Sequence, residues 1–243
     1  MSRKWIFLRG LTRGVGHWGE FVDIFKKKFP EDEVELIDIP GNGARFNESS
    51  PSKIKDYVNP IRDCSKFVKQ GPIHLLAVSL GGMIGIEWLN QYPNDIAKAH
   101  LFCTSSGEVS KFYERLQPIN YKYLYDIARA LPGRQQENCI LKMISQNKEN
   151  AQKALSTLAY YSKHHPVSIK NSLAQMVAAS SFKSPLLHPD KVHWIGSWGD
   201  RMVAPECTLK LAEKYQSKPT MHPWSGHDIA LDDPEWLVEQ LQG

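Results

Sequence analysis

Ser79 stands in Leu75-Leu76-Ala77-Val78-Ser79-Leu80-Gly81-Gly82, an apolar run that passes through a serine and two glycines into a helical pattern. A serine on a sharp strand-to-helix turn exposes its hydroxyl at the strand's C-terminal end, and small flanking residues are needed because the turn is tight. Ala77 and Gly81 meet that need, although Ala77 stands where a glycine is more usual. The turn also sets the hydroxyl at the positive end of the following helix, which favours developing negative charge. An ordinary strand–helix turn can carry the same local sequence, so the serine needs partners: a base, and an acid to orient the base. There are nine histidines. His74, His100, His193 and His222 fall within expected strands. His17 opens an expected helix, and His164, His165 and His188 sit in turn-like contexts. His227 differs, because Ser225-Gly226-His227-Asp228 follows the last expected strand as a loop. The acid candidate is Asp200, in Gly196-Ser197-Trp198-Gly199-Asp200, after another strand and before another helix; Glu108 is the alternative. Serine, carboxylate and imidazole in the order Ser79, Asp200, His227, each just beyond a strand, have the chemistry of nucleophilic acyl transfer.

The elements that must position these residues alternate along the chain. Apolar strand-like runs occur at 5–9, 34–39, 73–78, 99–103, 191–195 and 220–224. Helical spacing occurs at 17–29, 52–69, 80–91, 204–215 and 234–241. Alternation of this kind predicts an α/β fold with a mostly parallel twisted sheet flanked by helices, and open parallel sheets assemble their sites at the strands' C-terminal edge. The stretch 107–185 breaks the rhythm. It has no convincing strand and is rich in Tyr, Leu, Met and Ala at helical spacing. A structureless loop of that length is implausible in a compact domain, so a helical lid of three to five helices is expected over Ser79. The core domain would then be residues 1–106 and 186–243, with 107–185 inserted.

Composition excludes several classes. The net charge is +4, and the cationic run 26–28 lies beside acidic residues, as on a solvated helix end; no nucleic-acid surface is expected. Mean hydropathy is −0.41, and no apolar run reaches the ~18 residues of a membrane span. The four cysteines are far apart with no C-x-x-C, which predicts neither a zinc site nor a disulfide framework. The apolar stretch 5–8 is cut off by Arg9. It is too short for a secretory leader, so a cytoplasmic location is expected. No G-x-G-x-x-G follows a strand and no H-E-x-x-H occurs, so no cofactor and no metal is expected.

Taken together, Phe7-Leu8-Arg9-Gly10, the turn at Ser79, the pattern Gly196, Gly199, Asp200, Val203, Pro205 and the terminal Ser225-Gly226-His227 resemble the α/β-hydrolase superfamily over almost the whole chain. The resemblance is greatest to small bacterial serine esterases with a helical lid, of the pimeloyl carrier-protein methyl ester esterase type. It implies a Ser79–His227–Asp200 triad and an oxyanion hole made by the backbone N–H groups of Leu11 and Leu80. It implies an acyl-enzyme mechanism on a small-molecule ester, and the apolar lid predicts an apolar acyl group. Arg9 stands where such enzymes usually have histidine. The same triad serves thioesterases, lactonases, C–C bond hydrolases, acyltransferases and cofactor-free haloperoxidases, and the fold alone does not separate them. A rival from another class is a ligand-binding protein that retains the fold. Within the lid, Tyr123 and Leu158 are expected to set acyl-chain preference; Trp18 is expected in the core.

Overall fold

Strand β3 (Ile73–Val78) sits at the centre of the molecule, and its apolar sequence reflects that place. It pairs with β1 (Lys4–Leu8) on one side and β4 (Ile96–Phe102) on the other. With β2 (Glu33–Ile37), β5 (Val192–Ser197) and β6 (Thr220–His222) these form one six-stranded sheet of order β2-β1-β3-β4-β5-β6, every pair parallel. The computed structural model describes residues 2–186 and 189–242; His188 and the outermost ends of the expected core domain lie outside the described residues.

Both faces of the sheet are covered, which is why its strands read as continuous apolar runs instead of alternating ones. Ile6, Leu8, Leu75, Ala77 and Leu101 face one way. They pack on α2 (Val58–Cys64), α3 (Leu80–Gln91) and α9 (Pro205–Lys214) through Ile61, Ile84, Trp88 and Leu211. Trp5, Phe7, Leu76, Val78 and Phe102 face the other way. They pack on α1 (Phe21–Lys28) and α11 (Pro234–Glu239) through Phe21, Phe25, Leu237 and Val238. Trp18 lies in this second layer at 2% exposure, against Phe7 and Phe21. A short α10 (Ile229–Asp232) follows the His227 loop.

The single helix expected over 52–69 is broken. A 3-10 turn (Ile54–Tyr57), α2 and a second 3-10 turn (Val68–Gln70) take its place. The break is at Ser65, whose backbone is extended. Its Oγ accepts from the Phe67 and Val68 N–H groups and donates to Glu35, 2.7 Å away on β2. A serine that satisfies the backbone locally in this way competes with the helix.

Between β4 and β5 run α4 (Phe112–Arg115), α5 (Asn120–Arg129), α6 (Arg134–Ile144), α7 (Lys148–His164) and α8 (Ile169–Ser181). They have a small core of their own around Leu141, Met143, Ile144, Leu155 and Leu158. Buried polar groups fasten them to the sheet unit. Asp232 accepts from the Gln146 and Asn147 N–H groups at the α6–α7 junction and from the Gly226 N–H beside His227. Arg13 and Glu137 form a buried bidentate pair at 2.8 and 2.6 Å. Burial alone would raise the Glu137 carboxyl, but Arg13 outweighs it and holds the group below its ordinary value.

A histidine pair on β4 and β5 makes the fold sensitive to acid. His100 Nδ1 lies 3.1 Å from His193 Nδ1, a contact that requires one ring nitrogen to donate and the other to accept. Burial pushes His100 well down, with His193 and His74 adding to it, and burial pushes His193 down to about 4. The unfolded chain therefore binds more protons than the folded one below an ordinary histidine's range, and stability is complete above that range and lost as pH falls. The unfolding free energy measured in urea is expected to fall between pH 7 and 5, by on the order of 1–2 kcal/mol for each histidine. His100→Gln should flatten that slope; an equal slope in the variant would show that His100 does not contribute to it.

Candidate active site

Four loops converge at the C-terminal edge of the sheet, and the positions read from the sequence lie in them. Ser79 follows β3 directly, with φ 56° and ψ −117°. That left-handed conformation is strained for a residue with a side chain and persists only where its surroundings impose it. The surroundings are tight: a Cβ on Gly81 would lie 2.6 Å from the Arg9 carbonyl oxygen, and one on Gly10 would lie 3.1 Å from Ser79 Cβ. Glycine at both positions lets the loop after β1 pass over the serine. The Ser79 N–H donates to the Phe102 carbonyl at 3.0 Å.

Asp200 and His227 are brought together from the loops after β5 and β6. Asp200 Oδ2 lies 2.8 Å from His227 Nδ1, and both residues are buried. Asp200 Oδ1 accepts from the Met202 and Val203 N–H groups at 2.8 and 2.9 Å, so the carboxylate is fixed on its other side by backbone. A carboxylate oxygen accepts, so Nδ1 carries the proton and Nε2 presents its lone pair. Ser79 and His227 line one cavity of about 360 Å³, together with Leu11, Arg9 and Asp228. Among the described residues, Ser79 Oγ and His227 Nε2 make no hydrogen bond to each other; such contacts often tighten only when substrate binds. The Leu11 and Leu80 N–H groups have no protein acceptor among the described residues.

A second cavity of about 290 Å³ also reaches the serine, lined by Leu80, Met83, Leu116, Tyr121 and Ala179. The two share Leu11, Ser79, Leu124, Met176 and Met202. A third cavity, of about 470 Å³, is larger but holds none of the triad; Tyr123 lines it. Tyr123 lines neither of the cavities that Ser79 lines, and Leu158 is buried in the helices' own core. Leu124 and Met176 take the place expected for them.

His17 and His222 have structural partners. His17 is buried, contacts Ser162 Oγ through Nε2 at 3.0 Å, and is held well below its ordinary pKa by burial and by Arg13 and Arg9. His222 accepts from the Ser225 N–H at 2.8 Å and shapes the loop that leads to His227. Glu108 forms an ion pair with Lys214 and does not take the place of Asp200.

Two further residues have places at the site that the sequence does not assign: Arg9, which stands where a histidine is usual, and Cys103. Arg9 donates to both oxygens of Asp228, with its guanidinium 4.8 Å from the Trp18 ring centre. Burial would raise Asp228, but Arg9 prevails and holds it below the ordinary carboxylate value. The pair ties the end of β1 to the residue after His227, and removing either partner would leave a buried charge uncompensated. Cys103, in the loop after β4 with φ 50°, has its sulfur within 4.8 Å of ligand atoms of Asp200 and His227. Burial, with the charge of Asp200 adding to it, pushes the thiol well up. A thiol in that state can donate to Asp200 but is a poor metal ligand. Only its position at a strand's C-terminal end could have drawn attention to it.

No protein-family model and no curated protein matches the chain. Solved structures do. An enol-lactonase from Burkholderia xenovorans LB400 superposes with a TM-score of 0.74 at 14% identity, covering 99% of this chain and 90% of that one. A thermophilic esterase from Thermogutta terrifontis gives 0.72 at 15%, covering 100% and 89%. The esterase RhEst1 from Rhodococcus sp. ECU1013 gives 0.72 at 15%, covering 99% and 89%. The chain has the α/β-hydrolase fold. Identities this low carry the α/β-hydrolase architecture and nothing of the substrate. No described helix is long and apolar enough to cross a membrane.

Proposed function

We propose that the protein is a serine hydrolase of carboxylic esters, acting through Ser79, His227 and Asp200. The observation that carries this is the meeting, in one cavity, of a serine strained to φ 56° and an imidazole held at 2.8 Å by a buried carboxylate. Ser79 Oγ attacks the carbonyl carbon while His227 Nε2 takes its proton. The Leu11 and Leu80 N–H groups receive the oxyanion. Collapse of the intermediate expels the alcohol, which takes the proton from His227, and leaves an acyl-enzyme. Water activated by His227 then releases the acid. Asp200 keeps the proton on Nδ1 and stabilises the imidazolium. The segment 107–185 serves as a lid on the core of residues 1–106 and 186–243.

The two cavities suggest how an ester is divided. His227 must reach the leaving oxygen, so the cavity it lines receives the alcohol. The cavity lined by Leu80 receives the acyl chain. Its 290 Å³ suit roughly ten heavy atoms at about 30 Å³ for each water-sized group, and its lining is mostly apolar, which favours a medium-length chain.

The test is a panel of p-nitrophenyl esters from acetyl to dodecanoyl, with Leu116→Trp as the informative variant. Wild type is expected to prefer a medium chain. The tryptophan should lower octanoyl relative to acetyl turnover by about tenfold or more, the scale at which a pocket discriminates methylenes. An unchanged profile would reject the acyl assignment. Absence of turnover on every ester of the panel would favour a binding protein that retains the fold.

A further inference from the structure

We propose that the inserted segment 107–185 docks the protein on an anionic lipid surface, with the mouths of the two cavities at Ser79 against the bilayer. This goes beyond the ester hydrolysis proposed above and does not depend on it. Phe112 on α4 is 75% exposed, and Ile169 and Leu173 on α8 are 80% and 54% exposed; Tyr121 on α5 and Met176 on α8 are exposed as well. These side chains are not scattered. Ile169, Leu173 and Met176 line the cavity that holds Ser79 and His227, and Phe112, Tyr121 and Met176 line the second cavity. A side chain that lines a cavity and is also exposed stands at its mouth. The two mouths therefore share one apolar rim, supplied by α4, α5 and α8, with Met176 common to both. Single exposed apolar residues are ordinary, but a continuous patch with a polar border marks an interaction surface.

Charge decides what covers this rim. The segment holds eleven Lys and Arg against five Asp and Glu, a net +6, whereas the rest of the chain, with nineteen against twenty-one, is net −2. Four of the five acids are already paired. Glu108, Glu114 and Glu137 pair with Lys214, Lys210 and Arg13 of the sheet unit, and Glu149 pairs with Lys153. Among the described residues, no other cation of the segment has an ion pair. Helix α8 carries no acidic residue; Glu48, whose carbonyl accepts from Asn171 on α8, is paired with Arg45. Lys170 stands three positions before Leu173, and Lys122 three before the exposed Tyr125, so each shares a helix face with an apolar side chain. Arg129 donates to the Tyr125 hydroxyl at 2.7 Å. A second copy of this face would set one net +6 against another. An anionic bilayer matches both features: its headgroups attract the lysines, whose aliphatic stems lie along apolar surface, while its acyl layer covers the rim and its interface suits tyrosine. An ester dissolved in the bilayer then reaches the cavities without crossing water.

The experiment measures flotation of the protein with vesicles of phosphatidylcholine alone or with about 30% phosphatidylglycerol. Wild type is expected to bind the anionic vesicles about tenfold more tightly or better. Lys122→Glu combined with Lys170→Glu should weaken that binding on the order of tenfold. Lys26→Glu combined with Lys27→Glu makes the same change of charge on α1, in the run of three lysines at 26–28, and should alter binding by about twofold at most. Ile169→Ser combined with Leu173→Ser leaves the charge unchanged and should also weaken binding on the order of tenfold. Circular dichroism should match wild type in all three; if the serine pair does not fold, the two lysine pairs decide. Failure of wild type to prefer anionic vesicles overturns the proposal. So does an equal loss in the two lysine pairs, which overall charge would give, or full binding by a folded serine pair. A wild type that is dimeric in solution and monomeric as the serine pair would assign the rim to a second copy and overturn it too. Ser79→Ala should bind vesicles as wild type does: an active alanine variant refutes the triad and leaves the surface standing, whereas an inactive one beside a wild type that ignores the vesicles refutes only the surface.

Discussion

Ser79→Ala is expected to reduce ester turnover about 10⁶-fold, the scale seen when a triad nucleophile is removed from another serine hydrolase, while the chain folds as before. The substitution deletes one oxygen that makes no protein hydrogen bond among the described residues. It leaves untouched the Ser79 N–H bond to Phe102 and the close packing of Gly10 and Gly81. Alanine meets the same positive φ as serine, so the strain of the turn does not change. Circular dichroism and the melting temperature should match wild type. An alanine variant that keeps even a hundredth of wild-type turnover would place the nucleophile elsewhere.

Asp200→Asn should come next in size, at about 10⁴-fold in kcat, the effect of the equivalent change in chymotrypsin-like proteases. The backbone N–H groups of Met202 and Val203 can still donate to the amide oxygen, so the loop should hold. The amide nitrogen then faces His227 Nδ1, and two donors cannot share that contact. The imidazole must carry its proton on Nε2 instead, where a base is needed. KM should change little, because Asp200 lies behind His227 and not against the substrate. A loss below tenfold would remove Asp200 from the role, and Glu108, paired with Lys214, offers no substitute.

The parts of this molecule legible in the sequence share a physical cause. Strands buried on both faces must be apolar throughout, so 73–78 and 99–103 stood out and β3 and β4 lie there. The tight turn at Ser79 leaves its mark because backbone contact forbids a side chain at Gly81. What was not legible depends on tertiary contacts. The helix expected over 52–69 broke at Ser65 because its acceptor, Glu35, is on a strand 30 residues away. Gln175 in Leu-Ala-Gln-Met looks like any helical glutamine until Thr12 is found against it. Helical periodicity identified an aromatic and aliphatic stripe but not its rotation. Tyr123 and Leu124 differ by one position, about 100° around the helix, and of the two only Leu124 lines the cavities that Ser79 lines.

The central claim is that Ser79 is a nucleophile activated by His227, and covalent capture tests it most directly. The protein is incubated with a fluorophosphonate, weighed intact, digested and mapped. One adduct per chain is expected, on the peptide carrying Ser79, absent in Ser79→Ala and formed far more slowly in Asp200→Asn. An adduct on any other residue, or an unlabelled protein that still hydrolyses esters, would contradict the account.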